Sequence, residues 1–368
     1  MNSERISFRQ GVCLISLFIM GSTLVMGVGT AAGKDAWLAI LVGILMSLPA
    51  LFIYGRLLSL FSGKNLYEIL EAVFGKVIGK GISLFYLWFA FHLGSLVLRN
   101  FGEFVTTVSL PQTPRAFPML VLILICSWGV RDGIEVLGKW GKVSLLILLP
   151  LIFMTILFMI PLYEIDRLRP VLSKGLKPVL MAAFSDFTFP FAETVIFTLV
   201  LTSFENKKQT YGVFFLGLAI GGLTVLCTTL AELLVLGEHQ YTALYFPSYS
   251  AVRRLNIGNF FQRVEIITGI AFFGAGYIKI SMCLMGACKG FGSILNLEDY
   301  RFLVLPMGLL MLNMAWLVYD SQMEMFEWAF STWSYYAFFF QAILPAFILI
   351  GAELKKRKIN GKGLQVNE

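Results

Sequence analysis

The chain has 368 residues, a formal net charge of +7, 58% hydrophobic residues and only 14% charged ones, with a mean hydropathy of +0.79. A water-soluble domain carries roughly 25% charged residues, so this composition excludes one and places the chain in lipid. The basic residues are scattered among connectors instead of forming one stripe, which argues against nucleic-acid binding and leaves topology and contact with anionic lipid headgroups as the use of the charge.

A membrane-crossing helix needs about 20 predominantly apolar residues. Apolar blocks near that length lie at 11–31, 36–59, 82–108, 116–130, 143–162, 180–203, 211–236, 261–288, 302–319 and 333–352. The first reads as a span and not as a cleavable signal, because it is long, lacks a small-residue cleavage pattern and is followed at once by a second span. Residues 1–162 hold one set of five spans and 180–353 a second. The basic segment 354–368 is expected to be a disordered cytoplasmic tail. With the N-terminus inside, the inner connectors carry about twice as many Lys and Arg as the outer ones, which puts both termini in the cytoplasm.

Within the first block, Gly21, Ser22 and Thr23 interrupt the apolar run, with Gly27 and Gly29 just beyond. Glycine inside a helix costs about 1 kcal/mol relative to Ala, and Ser and Thr offer hydrogen bonds that compete with the helical ladder. Unwinding here would free backbone groups that hydrocarbon cannot satisfy, so they would face a cavity or a ligand. The same small residues also suit close helix packing, since Gly21, Val25 and Gly29 fall on one face. Between the second and third spans, Asn65 can cap a helix with Glu68 three residues later, and Leu66, Ile69, Leu70 and Val73 recur at helical spacing, which predicts a short amphipathic helix on the inner face. In the third span, His92, Leu96, Arg99 and Glu103 share one face. His92 lies on the order of 15 Å deep. Arg99 and Glu103, four apart near the outer end, can pair.

The sixth block is interrupted more strongly. It reads Phe184-Ser185-Asp186-Phe187-Thr188-Phe189-Pro190-Phe191-Ala192-Glu193. Pro190 removes a backbone donor at a cost of about 3 kcal/mol in a plain helix, and a carboxylate near the helix centre costs about 2.5–3.5 kcal/mol on insertion scales. Two interrupted spans at corresponding places in two halves point to a midplane ligand site of a transporter-type fold. The connector 240–260, crossed by Pro247, stands in the second half where the capped helix stands in the first, as an inverted repeat requires. In the eighth span Lys279 is an isolated cation, read either as a functional group or as a lysine snorkelling to the headgroups. Glu232, Glu238, Glu265, Asp320, Glu324 and Glu327 read as outer-surface acids. Cys13, Cys126, Cys227, Cys283 and Cys288 lack metal-ligand spacing and read as free thiols. With two His, no nucleophile elbow and no phosphate-binding loop, the sequence points to no enzyme and no cofactor. No span carries the continuous polar stripe of a channel.

These residues carry a resemblance. The broken first and sixth spans resemble those of the amino acid–polyamine–organocation transporter superfamily. More narrowly, the length, the ten spans, the start Ile6-Ser7-Phe8-Arg9-Gln10 and the phrase Phe189-Pro190-Phe191-Ala192-Glu193 resemble the B subunits of nutrient germinant receptors of spore-forming bacteria, the GerAB-like spore germination permeases. The resemblance covers the whole chain. It departs at Thr23 and Ala192, where glycine is usual. It implies an all-α, LeuT-like inverted five-plus-five fold in the inner spore or cell membrane, A-type and C-type receptor partners, and a small amino acid-type nutrient held by Gly21, Ser22, Thr23, Asp186, Phe189, Pro190, Phe191, Ala192 and Glu193. It makes His92 a candidate ligand contact, because the third span lines the central site of that fold. Lys279 falls where sodium-coupled relatives hold a cation between the first and eighth spans, so it becomes a candidate cation surrogate or proton-coupling group. The alternative within the superfamily is a proton-coupled amino acid transporter.

Overall fold

The structure is a computed structural model that describes residues 6–202, 207–255 and 265–364. Among them seven helices are long and apolar enough to cross a membrane, and three shorter apolar helices, Phe8–Thr23, Ala116–Arg131 and Arg301–Leu317, fill the remaining places of a ten-span bundle. The first half comprises α1 (Phe8–Thr23), α2 (Ala36–Leu60), α3 (Leu66–Phe74), α4 (Lys76–Phe104), α5 (Ala116–Arg131) and α6 (Ile134–Met159). The second comprises α7 (Leu176–Asp186), α8 (Ile196–Val200), α9 (Lys207–Ala243), α10 (Pro247–Val252), α11 (Glu265–Leu295), α12 (Val304–Leu317), α13 (Gln322–Ser331), α14 (Trp333–Phe338) and α15 (Leu344–Leu364). The sixth span is α7 and α8 with the interruption between them, and the tenth is α14 and α15.

The packing repeats with inverted order. α1 packs on α9 as α7 packs on α2, α5 packs on α11 as α12 packs on α4, and the self-equivalent pair α4 and α11 forms the most extensive contact. The short helices α3 and α10 occupy equivalent places after the second and seventh spans. The fold is therefore an all-α, inverted five-plus-five bundle with interrupted first and sixth spans. α1 is its axis: every residue from Leu14 to Thr23 is buried, while Leu45, Trp128, Leu146 and Leu317 turn outward where lipid would cover them.

Local chemistry explains several ends. Ser7 and Gln10 form a reciprocal capping box at the start of α1, and Asn65 and Glu68 form one at the start of α3, as the side-chain spacing requires. α4 begins at Lys76 and α6 at Ile134, several residues before the apolar blocks at 82 and 143, because the helix continues past the hydrocarbon with its lysines in the headgroup zone. Lys80 there reaches the Ile294 carbonyl at 2.8 Å. Two features differ from expectation. A separate helix, α13, lies between the ninth and tenth spans, and α15 runs on to Leu364 through the basic segment, whose Lys and Arg are good helix formers. The connector after the seventh span contains α10, and its part from 256 to 260 lies outside the described residues.

Candidate ligand cavity

The interruption of the sixth span begins where α7 ends at Asp186. Phe189 leaves the helical region at φ −144°, ψ 109°, followed by Pro190 and a tight turn Ala192–Val195 that restarts the helix. Pro190 has no N–H and crowds the preceding turn, which favours opening the ladder here. The carbonyls this frees are met by protein groups: Thr188 O accepts from Trp333 Nε1 at 3.3 Å and Gln341 Nε2 at 3.0 Å, and Ala192 O accepts from the Tyr54 hydroxyl at 3.1 Å.

In the first span the opening lies later than the sequence suggested. Gly21, Ser22 and Thr23 are the last residues of α1 and remain helical. The Thr23 hydroxyl donates back to the Ile19 carbonyl at 2.9 Å, which supports the ladder instead of breaking it. The unwound stretch is 24–29, ending at Gly29 with φ +66°. A single tyrosine clamps it: the Tyr241 hydroxyl donates to Val28 O at 2.6 Å and accepts from Val28 N at 3.1 Å. Gly29 N donates to Asp186 Oδ1 at 2.8 Å, so the two interruptions are tied to each other. Gly21 serves another purpose, because a Cβ there would stand 2.6 Å from Cδ of Lys279. It is the notch in which the lysine lies.

Between the interruptions is a cavity of about 820 Å³, walled by 26–31 of the first span, one face of α4, the opened sixth span and α13–α14. Thr30, Lys177 and Thr242 also line it. Of the candidate residues, Asp186, Phe189 and Glu193 line it. Gly21, Ser22, Thr23, His92, Pro190, Phe191 and Ala192 do not. Phe191 and Ala192 are fully buried, and Phe191 packs toward Gly43 and Gly222 on neighbouring helices. α4 presents Leu93, Leu96, Val97 and Asn100 to the cavity, a face turned by about one residue from the one carrying His92. The His92 ring stacks on Trp88 at 5.4 Å, and its Nδ1 lies 3.3 Å from the Tyr336 hydroxyl. It belongs to an aromatic layer beside the cavity.

Both cavity carboxylates are buried, and Asp186 Oδ2 and Glu193 Oε1 have no hydrogen-bond partner. Glu193 Oε2 accepts from Nζ of Lys279 at 2.5 Å. The lysine is 0% exposed, and its ammonium lies 5.2 Å from the Phe18 ring centroid and 4.9 Å from that of Phe189. Lys279 is therefore held by a carboxylate and two aromatic faces. It does not use the span-1 carbonyls, and it does not snorkel. Free carboxylate oxygens among aromatic walls suit a ligand ammonium, through charge-assisted hydrogen bonds and cation–π attraction.

Arg99 and Glu103 pair as their spacing suggests, at 2.9 Å, but they are buried and extended: Arg115 joins Glu103 at 2.5 Å, and Arg99 Nη1 donates to Ala315 O and Trp316 O at the end of α12. They fix α4 against α12 and do not line the cavity. Glu232 is no surface acid. It is 4% exposed, roofed by α10, and its Oε1 accepts from Ser248 Oγ at 2.5 Å. Lining residues that the sequence reading missed are Asn100, Trp328, Trp333, Ser334 and Tyr335. The aromatic density of 326–340 was visible, but aromatic runs near span ends ordinarily mark the membrane interface. No group of three or more His, Cys, Asp or Glu side chains able to hold a metal occurs among the described residues.

Residues 5–323 match the profile of a family described as "Spore germination protein". Spore germination protein KB of Bacillus subtilis (strain 168) is 26% identical over 362 residues, covering 97% of each chain. Spore germination protein B2 of the same organism is 23% identical over 299 residues, covering 78% of each chain. Among solved structures, the nucleobase-cation-symport-1 family transporter Mhp1, closed with bromovinylhydantoin bound, superposes with a TM-score of 0.63 at 12% identity, covering 94% of this chain and 78% of that one. A Na⁺-coupled sialic acid symporter in a substrate-bound, outward-open state gives 0.65 at 13% identity with the same coverage. At such identity these structures bear on the fold alone.

Proposed function

Because this chain belongs to the spore germination permease family, we propose that it is the nutrient-sensing membrane subunit of a spore germination receptor, taking a small amino acid-type ligand into the cavity between its two interrupted spans. In this reading it sits in the inner spore membrane with both termini cytoplasmic, and it works with A-type and C-type partner subunits. The observation that carries the reading is that two buried carboxylates, each with an unpartnered oxygen, line one cavity of about 820 Å³ walled by both interruptions. A ligand ammonium at Glu193 Oε1 or Asp186 Oδ2 would neutralise charge that the protein itself leaves half-satisfied. It would also draw Glu193 away from Lys279, so that occupancy is felt in α11. Asp186 would report in the other direction, since its second oxygen already holds Gly29 of the first span.

The test is Asp186→Asn in spores, with each amino acid titrated for germination. Asparagine keeps an acceptor for the Gly29 N–H and removes only the charge. The amino acid concentration for half-maximal response should rise by about tenfold or more, since a hydrogen bond to a charged group contributes about 1.5–3 kcal/mol. An unchanged dose–response at normal protein level would sink the ligand assignment. Accumulation of labelled amino acid by vesicles containing this chain alone would favour the transporter reading over the sensor.

A further inference from the structure

A second, smaller hole lies apart from the ligand cavity, where α6, α9, α10 and α11 meet. Its volume is about 40 Å³, room for one ion or a very few waters, since a water needs about 10–15 Å³ by that measure. Each of the four helices brings oxygen to it: Thr155 from α6, Thr228 and Glu232 from α9, Ser248 from α10 and Thr268 from α11. Thr155, Glu232, Ser248 and Thr268 are all at most 8% exposed.

Three of the four hydroxyl protons are already committed. Thr155 Oγ1 donates to Leu151 O and Thr228 Oγ1 to Val225 O, both at 2.9 Å, and Ser248 Oγ donates to the Glu232 carboxylate at 2.5 Å. What these groups have left is lone pairs. Among the described residues no Lys or Arg pairs with Glu232. Beside apolar side chains the hole thus gathers acceptors around a carboxyl that no basic side chain pairs among the described residues; ionised, it would carry one negative charge where an unpaired ion is expensive. A water cannot neutralise it. A divalent ion would reverse the sign of the excess charge instead of cancelling it.

We infer that the Glu232 hole is a binding site for one small monovalent metal cation, sodium-sized, held by the Glu232 carboxylate and the hydroxyl oxygens of Ser248, Thr228, Thr155 and Thr268. Hard cations take oxygen ligands of this kind, and one carboxylate matches one charge. Leu24, the first residue past the end of α1, closes the same hole. A bound ion would sit beside the edge of the unwound stretch 24–29 that walls the ligand cavity. The site is separate from Lys279, and it stands whether the ligand is sensed or transported.

The test uses the full chain in lipid nanodiscs, with thermal unfolding followed while sodium chloride replaces N-methyl-D-glucamine chloride from 1 to 100 mM at constant ionic strength, at pH 7.5 and at pH 5.5. Sodium should raise the unfolding temperature saturably, because an ion that binds only the folded state stabilises it by mass action. Glu232→Gln should abolish the sodium increment, and Thr228→Val should shift the half-saturating concentration upward by about tenfold, the effect of about 1.4 kcal/mol of lost binding. Ser248→Ala gives the same reading should Glu232→Gln fail to fold. No sodium increment in the wild type overturns the inference, as does an increment that survives Glu232→Gln. Stabilisation by pH 5.5 with none by sodium also overturns it, and assigns the position to a protonated carboxyl.

Discussion

Replacing Lys279 by Met leaves Glu193 buried without its cation, and the size of the effect follows from the surroundings. At 2.5 Å and an effective dielectric near 20, the attraction between the two charges is on the order of 6 kcal/mol. Desolvation of both groups offsets much of it, so the intact pair contributes far less than that in net terms. Removing one partner is another matter. Glu193 Oε1 already lacks a hydrogen bond, the Phe18 and Phe189 faces favour a cation and repel an anion, and no other ion pair to Glu193 exists among the described residues. Breaking a buried pair this way costs about 3–5 kcal/mol. Lys279→Met should therefore lower both the membrane level and the thermal stability of the purified chain in nanodiscs. Adding Glu193→Gln should recover most of the stability, because the orphaned charge goes with it. Lys279→Arg should not substitute, since a planar fork does not fit a notch shaped by Gly21 around a straight alkyl chain. If Lys279→Met is as stable as the wild type, or the double variant is no better than Lys279→Met, then the pair does not hold α11 to the sixth span.

Gly21→Ala should disturb the same contact from the other side, because its Cβ would stand 2.6 Å from Lys279 Cδ. Overpacking of this kind costs about 1–3 kcal/mol, and a thermal scan showing no loss would contradict the notch. Tyr241→Phe strips Val28 of both its partners; a destabilisation of about 1–3 kcal/mol is expected for the buried groups left unsatisfied, with a shallower nutrient dose–response as the functional readout. For orientation, single cysteines on a cysteine-free background should label from outside the membrane at positions 177 and 242 and from inside at 355. The opposite pattern would invert the topology.

Features whose cause is local were legible in the sequence. Asn65 and Glu68 cap each other within one turn, and Pro190 stands with Asp186 and Glu193 in one short stretch, so α3 and the sixth-span interruption follow from the residues themselves, whereas the lone Pro49 and Pro150 stay inside α2 and α6. Gly21, Ser22 and Thr23 are different, because small residues tolerate a helix as readily as they weaken one. What decides is tertiary. Lys279 takes the space that Gly21 leaves, while Tyr241 and Asp186 capture Val28 and Gly29, and the opening moves into 24–29. His92 lies off the cavity by a rotation of about 100° around α4, one residue's worth in a helix of 3.6 residues per turn. That rotation is set by the neighbours of α4, above all α11, and no periodicity within the span contains it.

Lys279 and Glu232 looked alike in one respect, each a charge inside or near a span with no partner in sequence. The fold separates them. A glutamate 86 positions away comes to within 2.5 Å of Lys279, so its charge is answered and the residue becomes a tie between α11 and the opened sixth span. Glu232 was read as lying at the surface because it is close to the end of its helix, and counting residues along α9 leaves it there. The six-residue helix α10 covers it, and what it brings is a hydroxyl, which can share the charge but cannot cancel it. A buried carboxylate that no basic side chain pairs among the described residues takes up either a proton or a positive ion, so the same desolvation argument that makes Lys279 a structural tie makes Glu232 the place to test for a bound cation.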